Sequence, residues 1–430
     1  MEPLCRDEPG REACWAALLD RVDQLEPSLR ALLSETDRRG RLATAAGHLC
    51  RAWPDAATRP PLYGCLVAVK DIIRVDGLLT RAGSTLPPEL FAGPEASCVT
   101  ALRRAGAVVL AKSVTTEFAH AEPGPTRNPR APGRTPGGSS SGSAAAVAAG
   151  YCPLALGTQT IGSVIRPAAF CGVVGFKPTR GRVAGDGVIP FSPSVDTVGW
   201  LGPDVASVVL AAACLCQEWR PPGAGDKPVL VIPRGPYLAQ AEPAARAVLG
   251  CQLAALTSAG YRVCETDALL DIEAVNERHR LLVAGEMARV HAAWFTTHAA
   301  RYRPRTAALV RQGQSVSTAA LAAARRGSEA LDLELRAALA AVGGNAWVCP
   351  AACGPAPAGL EGTGDPVMNL PWSHAGWPVV TVPGGLVDGL PVGLQLAAPP
   401  GTDEALLGWA AGIETWLGQL AGAGPQERSI

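Results

Sequence analysis

The chain has 430 residues, 48% hydrophobic and 18% charged, with 38 basic and 38 acidic side chains and a formal net charge of zero. That composition builds a large buried core and argues against a disordered chain. Its charge balance gives no electrostatic reason for nucleic acid or an acidic membrane as partner, and no run of about 18 apolar residues offers a spanning helix.

The charged opening, residues 1–8, lacks the apolar run of a signal peptide. The 13 cysteines are scattered, and neither Cys214-x-Cys216 nor Cys349-xxx-Cys353 has a second pair or a histidine at zinc spacing. They read as reduced thiols in a cytoplasmic protein without a metal site. In chain order, residues 1–60 form an N-terminal helical segment, with Leu18, Leu19, Val22 and Leu25 at helical spacing. Residues 66–71 read as a buried strand ending on Lys70 and Asp71, residues 97–106 as a helix, and residues 107–112 as the next strand. This alternation predicts an α/β fold.

Residues 122–143 are nearly devoid of apolar side chains, and their Gly/Ser end at 137–143 runs straight into an Ala-rich helix at 144–149. A second Gly/Thr/Ser loop, 157–163, follows an apolar run at 153–156. Long loops within a compact domain are commonly functional. A Pro/Gly-rich stretch near 218–227 precedes a strand at 229–232, and an Ala-, Leu- and Arg-rich helical region at about 243–341 reads as a cap or insertion. Strands at 378–382 and 391–396 lead to a closing helix capped by Thr402, with Asp403 and Glu404 in its first turn. The expected architecture is a single large mixed β-sheet flanked by helices over residues 61–430.

Three chemical groups stand out: Lys70 at a strand end, and the serines of the two Gly-rich loops. Singly, each has an ordinary explanation, since a lysine closing a strand meets water and a Gly/Ser run caps a helix. The first loop lacks the Gly-Lys-Ser/Thr ending of a phosphate cradle. None of the six histidines lies in a Gly-x-Ser-x-Gly elbow. His120 and His374 are candidates to line a pocket.

Together the motifs resemble the amidase signature family. The family's core reads here as residues 137–143, an Ala-rich helix, residues 157–163, Arg166-Pro167, and Gly175-Phe176-Lys177-Pro178-Thr179. Its first segment matches Gly64 through Lys70-Asp71 and Gly83-Ser84, and its C-terminal block matches Gly364-Asp365-Pro366, Asn369, Pro371-Trp372-Ser373, Gly376 and residues 391–396. The match covers roughly residues 60–205 and 345–415, with the helical region between them diverging.

The resemblance implies Ser163 as nucleophile, with Ser139, following a cis peptide bond, and Lys70 relaying its proton. Ser139 and Ser163 are 24 residues apart, as the family requires. It also implies an oxyanion hole from the backbone of Thr160, Ile161, Gly162 and Ser163, and no cofactor. The chemistry is coherent in itself. A serine hydroxyl needs an adjacent base, and lysine becomes one when burial lowers its pKa. Gln159 stands where the family has Asp, and Ile161 where it has Gly. The β-branched Ile161 implies either an ordinary backbone there or a narrower pocket roof, the second being the expectation.

The loop is similar to the malonamidase branch, as is the interval of 69 residues from Lys70 to Ser139. In that branch the residue matching Arg166 binds a substrate carboxylate; a loop brace is the equal alternative. Gly138, Ser140, Gln159 and His374 are the other candidate substrate contacts. Asn276, Glu286, Arg289 and Tyr302 are polar candidates from the helical region. The expected reaction is hydrolysis of a small-molecule carboxamide, with a carboxylate-bearing amide as the candidate suggested by Arg166, by a chain that could form a homodimer. Acyl transfer to another nucleophile, or ammonia delivery within an amidotransferase, would use the same groups.

Overall fold

The computed structural model describes residues 8–223 and 226–422, so the charged opening up to Asp7, Cys5 and part of the Pro/Gly stretch lie outside the described residues. Two helices come first, α1 (Glu8–Leu29) and α2 (Arg38–Ala52), followed by β1 (Leu66–Lys70), α3 (Ser97–Arg104) and β2 (Val108–Ser113). The Ala-rich segment is α4 (Ser141–Ala148), and β3 (Leu154–Gln159), α5 (Ile165–Cys171), β4 (Val174–Lys177), β5 (Thr197–Gly202) and α6 (Val205–Leu215) complete this half.

The second half holds β6 (Val229–Arg234), α7 (Pro236–Ala239), α8 (Pro243–Ser258) and β7 (Arg262–Asp267), then four helices: α9 (Ile272–Val290), α10 (Ala292–His298), α11 (Pro304–Gln314) and α12 (Thr318–Ala341). It closes with β8 (Ala346–Pro350), α13 (Leu370–Ala375), the hairpin β9 (Val379–Val387) and β10 (Leu390–Ala397), and α14 (Asp403–Gly422). The helical stretch expected over 243–341 is thus interrupted: β7 is an edge strand parallel to β6, and unbroken helix begins only at α9. The polar alternation of residues 262–267 hides that strand, because an edge strand needs no apolar run.

Among the described residues ten strands form one mixed sheet in the order β2-β1-β3-β5-β4-β9-β10-β8-β6-β7. The β2-β1-β3 and β8-β6-β7 ends are parallel, and the centre is antiparallel. Strand alternation sorts β1 between two cores. Val67 and Val69 join the larger cluster with Trp200 and Phe176, whereas Leu66 and Ala68 pack with α1, α2 and the alanines of α4. The parallel strands β1 and β3 end side by side, and the crevice beyond the carboxyl ends of parallel strands is where such sheets commonly hold ligands. No described helix is long and apolar enough to cross a membrane.

Candidate active site

By strand parity Lys70 follows Leu66 and Ala68 onto the face covered by α4, so it approaches the serines that lead into that helix. Its Nζ lies 2.6 Å from Ser139 Oγ and 2.8 Å from Thr158 Oγ1. Lys70 is fully buried, and that burial lowers its pKa to about 7, against an opposing pull from the Asp196 carboxylate. At neutral pH the amine is therefore divided between free base and ammonium.

The turn that delivers Ser139 is built by close approach. Gly137 has φ +82°, and a Cβ there would sit 2.8 Å from Pro167 Cα. The Gly138–Ser139 peptide is cis. Ser140 then joins the two loops: its N–H donates to the Ser163 carbonyl at 3.3 Å, while its hydroxyl donates to the Thr158 carbonyl at 3.3 Å.

Ser163 stands in the turn before α5, 8% exposed. Gln159 organises this turn. Its Oε1 accepts the N–H groups of Val164 and Ile165 at 2.9 and 3.0 Å, satisfying donors at the helix start, and its Nε2 donates to Ser373 Oγ at 3.0 Å. Ser373 Oγ in turn donates to the Ile161 carbonyl at 2.7 Å, and the Arg166 N–H donates to the Gly162 carbonyl at 3.0 Å. In a trans peptide the N–H points opposite the C=O, so the N–H groups of Gly162 and Ser163 face away from Ser373 and α5. Gly162 has no room for a side chain, because a Cβ would collide with the Asn369 carboxamide. Ile161 is not among the residues with positive φ, and it packs against the cluster containing Trp372 and Trp377. The ordinary-backbone alternative therefore accounts for a β-branched residue at this position, in place of the expected narrowed roof.

The other candidates separate into braces and orphans. Arg166 is buried with its Nε on the Thr363 carbonyl (2.7 Å) and its Nη2 on the Gly138 carbonyl (2.7 Å) and Thr363 Oγ1 (3.1 Å), while Nη1 has no partner. The Gly138 carbonyl, Ser140 and Gln159 are thus engaged within the protein. His374 pairs with His279, Nδ1 to Nδ1 at 3.1 Å, leaving both Nε2 atoms buried and without a partner. His120 tilts against Phe191, its Nδ1 also unpartnered, and burial lowers its pKa to about 4.

From the helical region, Glu286 accepts from Ser192 Oγ (2.8 Å) and the Ser194 N–H (3.0 Å), Tyr302 bonds His291 (2.8 Å), Asn276 donates to Gln240 (2.8 Å), and Arg289 to Thr318 (3.1 Å). Glu286 is the one of these four that grips a loop bordering the site.

Two residues with no sequence signal of their own complete the geometry. Thr158 contacts Lys70 directly, and Asp196 Oδ1 accepts from Thr160 Oγ1 at 2.5 Å. Thr158, Thr160 and Asp196 line a cavity of about 150 Å³ together with Ile72, Phe191 and Val198. A cleft of about 750 Å³ opens elsewhere, between α1 and the loop at 123–125, and touches none of Lys70, Ser139 and Ser163. Among the described residues no cluster of three or more His, Cys, Asp or Glu could hold a metal ion.

Residues 14–263 match the family model described as Amidase. A glutamyl-tRNA(Gln) amidotransferase subunit from Roseiflexus castenholzii is 33% identical over 94% of this chain and 92% of its own. A solved structure described as an amidase superimposes with a TM-score of 0.86 at 32% identity, covering 96% of both chains. The peptide amidase of Stenotrophomonas maltophilia gives 0.81 at 28% identity, over 94% of this chain and 93% of that one.

Proposed function

Because the chain belongs to the amidase family, we propose that it breaks the C–N bond of a carboxamide through an acyl-enzyme on Ser163, with Ser139 and Lys70 as the proton relay. The observation that carries this reading is the buried contact of 2.6 Å between Lys70 Nζ and Ser139 Oγ. Ser163 Oγ attacks the carbonyl carbon and its proton passes to Ser139, whose own proton passes to neutral Lys70. The oxyanion forms against the N–H groups of the 160–163 turn, at roughly 3 kcal/mol per donor in comparable sites. Collapse expels the amine, which takes the relayed proton. Water then cleaves the ester, returning a carboxylic acid and free Ser163.

Where the released ammonia goes divides two readings. In the first it diffuses away and the chain is a free-standing amidase, as the solved amidase and peptide amidase are named. In the second it is passed to a partner protein. That reading draws support from the relatives named as amidotransferase subunits, which match along nearly the whole chain. Acyl transfer to an amine or hydroxyl would use the same acyl-enzyme. A carboxylate on the substrate would have to be met by Arg166 Nη1, since its other guanidinium nitrogens are occupied.

The test is intact-mass detection of an acyl adduct across an amide panel that includes glutamine and malonamate, with Ser163→Ala as control. An adduct that survives Ser163→Ala would sink the nucleophile assignment. Ammonia release by the purified chain alone favours the free-standing amidase, whereas release only with co-purified subunits favours the amidotransferase. Equal loss on charged and neutral amides in Arg166→Ala makes that arginine a brace.

A further inference from the structure

The loop at 189–196 is wound around one carboxylate. Asp196 Oδ2 accepts the N–H groups of Phe191 at 2.7 Å and Ser192 at 2.9 Å, and its Oδ1 accepts the Thr160 hydroxyl. Thr160 opens the turn that ends at Ser163. One carboxylate therefore ties the loop to the near end of that turn, while Ser373 and Asn369 prop it from the opposite side.

The charges around this point are few. Asp71, next in sequence to Lys70, is committed elsewhere, to Lys112 Nζ at 2.9 Å. Glu286 faces the same loop from α9 but is neutralised by Arg325, and Arg180 Nη1 binds the Ser194 carbonyl at 3.1 Å. Asp196 lines one cavity with Thr158, whose hydroxyl lies 2.8 Å from Lys70 Nζ, and its charge opposes the effect of burial on that amine.

We propose that Asp196 is a positioning residue for the amide-cleaving reaction: it holds Thr160, and through it the oxyanion turn, and its charge stabilises the ammonium that Lys70 becomes on accepting the relayed proton. This rests on the acyl-enzyme reading above. The two roles are complementary in time. The tether is needed throughout, whereas the charge matters when Lys70 is protonated and negative charge builds on the substrate oxygen. A carboxylate at a distance suits this task better than a direct ion pair, which would hold Lys70 as ammonium in the resting enzyme and remove the base. Burial raises the pKa of Asp196 above the ordinary carboxylate value, and the Thr160 hydroxyl, the N–H groups of Phe191 and Ser192 and the charge on Lys70 oppose that rise by favouring the ionised form.

Asp196→Asn removes the charge and retains a side chain of the same size. We expect kcat to fall ten- to a hundredfold with KM little changed. Without Asp196 the ammonium of Lys70 is less favoured, so the acidic limb of kcat/KM moves to lower pH. A fall in kcat with the limb unmoved would reduce Asp196 to a structural loop anchor and overturn the charge role.

Thr160→Val separates the tether from the charge: kcat falls at least fivefold while the limb stays in place. Unchanged kcat in this variant overturns the tether, and the variant decides that point even if Asp196→Asn fails to fold. Should the wild-type protein form no acyl adduct with any amide, the acyl-enzyme reading fails by itself. NMR titration of the Lys70 Cε resonance then still decides the electrostatic claim, which stands if the midpoint drops in Asp196→Asn and falls if it does not.

Discussion

Lys70 and Lys112 close neighbouring parallel strands, with Lys70 opposite Ser113 and Val69 opposite Lys112, and both are buried. Their surroundings differ in one respect. Lys112 has the Asp71 carboxylate at 2.9 Å and the Thr80 hydroxyl at 2.8 Å, whereas Lys70 meets only the hydroxyls of Ser139 and Thr158 within 3 Å. A buried ammonium with a carboxylate beside it is a structural ion pair; one offered only hydroxyls is ready to lose its proton. Lys177 adds a third case. Its pKa is also lowered to about 7, yet its amine contacts the Pro178 carbonyl, with no candidate nucleophile in the contact. Burial makes a lysine a base, and the neighbouring hydroxyl makes it a useful one.

This contrast can be broken or sharpened by mutation. The largest effect is expected for Ser163→Ala, with kcat/KM down on the order of 10⁴-fold or more, read by ammonia release, since removal of the proposed nucleophile abolishes the covalent route. Next comes an opposed pair. Lys70→Met should lose activity on the order of 10³-fold while stability in urea holds or rises, because only hydroxyls, and no contacting carboxylate, lose their partner. Lys112→Met should cost about 3–5 kcal/mol by leaving Asp71 buried and unpaired. If the two methionine variants destabilised equally, the distinction between base and ion pair would be lost.

The pH profile probes the same point. Burial favours the neutral amine, so Lys70 is a base above about 7 and an ammonium below it. Activity should therefore fall as pH drops through about 7, and an activity that stayed flat down to pH 5 would contradict the assignment. The smallest effect is expected for Thr158→Val, a loss of about tenfold in kcat from removing one hydrogen bond to the lysine, with KM unchanged.

Much of this site is legible in the sequence because it is built from residues whose chemistry or conformational freedom is hard to replace. Gly137, Ser139, Gly162 and Ser163 are close-approach and turn positions, and their order along the chain carries the family likeness. The strand at 66–70 and the first half of β3 show as short apolar runs, whereas Gly157, Thr158 and Gln159, read as loop, belong to β3 in the structure. The capping role of Gln159 is not readable there: a carboxamide beside a nucleophile serves equally as a substrate contact, and only the positions of the Val164 and Ile165 N–H groups decide between them. Asp196 is less readable still, sitting in an irregular Pro/Ser loop without periodicity.

What the sequence determined by itself is local: the strand that ends on Lys70 and the two loops that can turn tightly enough to present serines. What only the tertiary structure decided is electrostatic and depends on residues distant in the chain. Asp71 turns to Lys112, Arg166 is bound to Thr363 and Gly138, and Asp196 reaches Thr160 and the cavity shared with Thr158 from a loop more than a hundred residues beyond Lys70. The physical reason is that a side chain's chemical type is written at its own position, whereas its pKa and its free valences are set by whatever the fold packs against it.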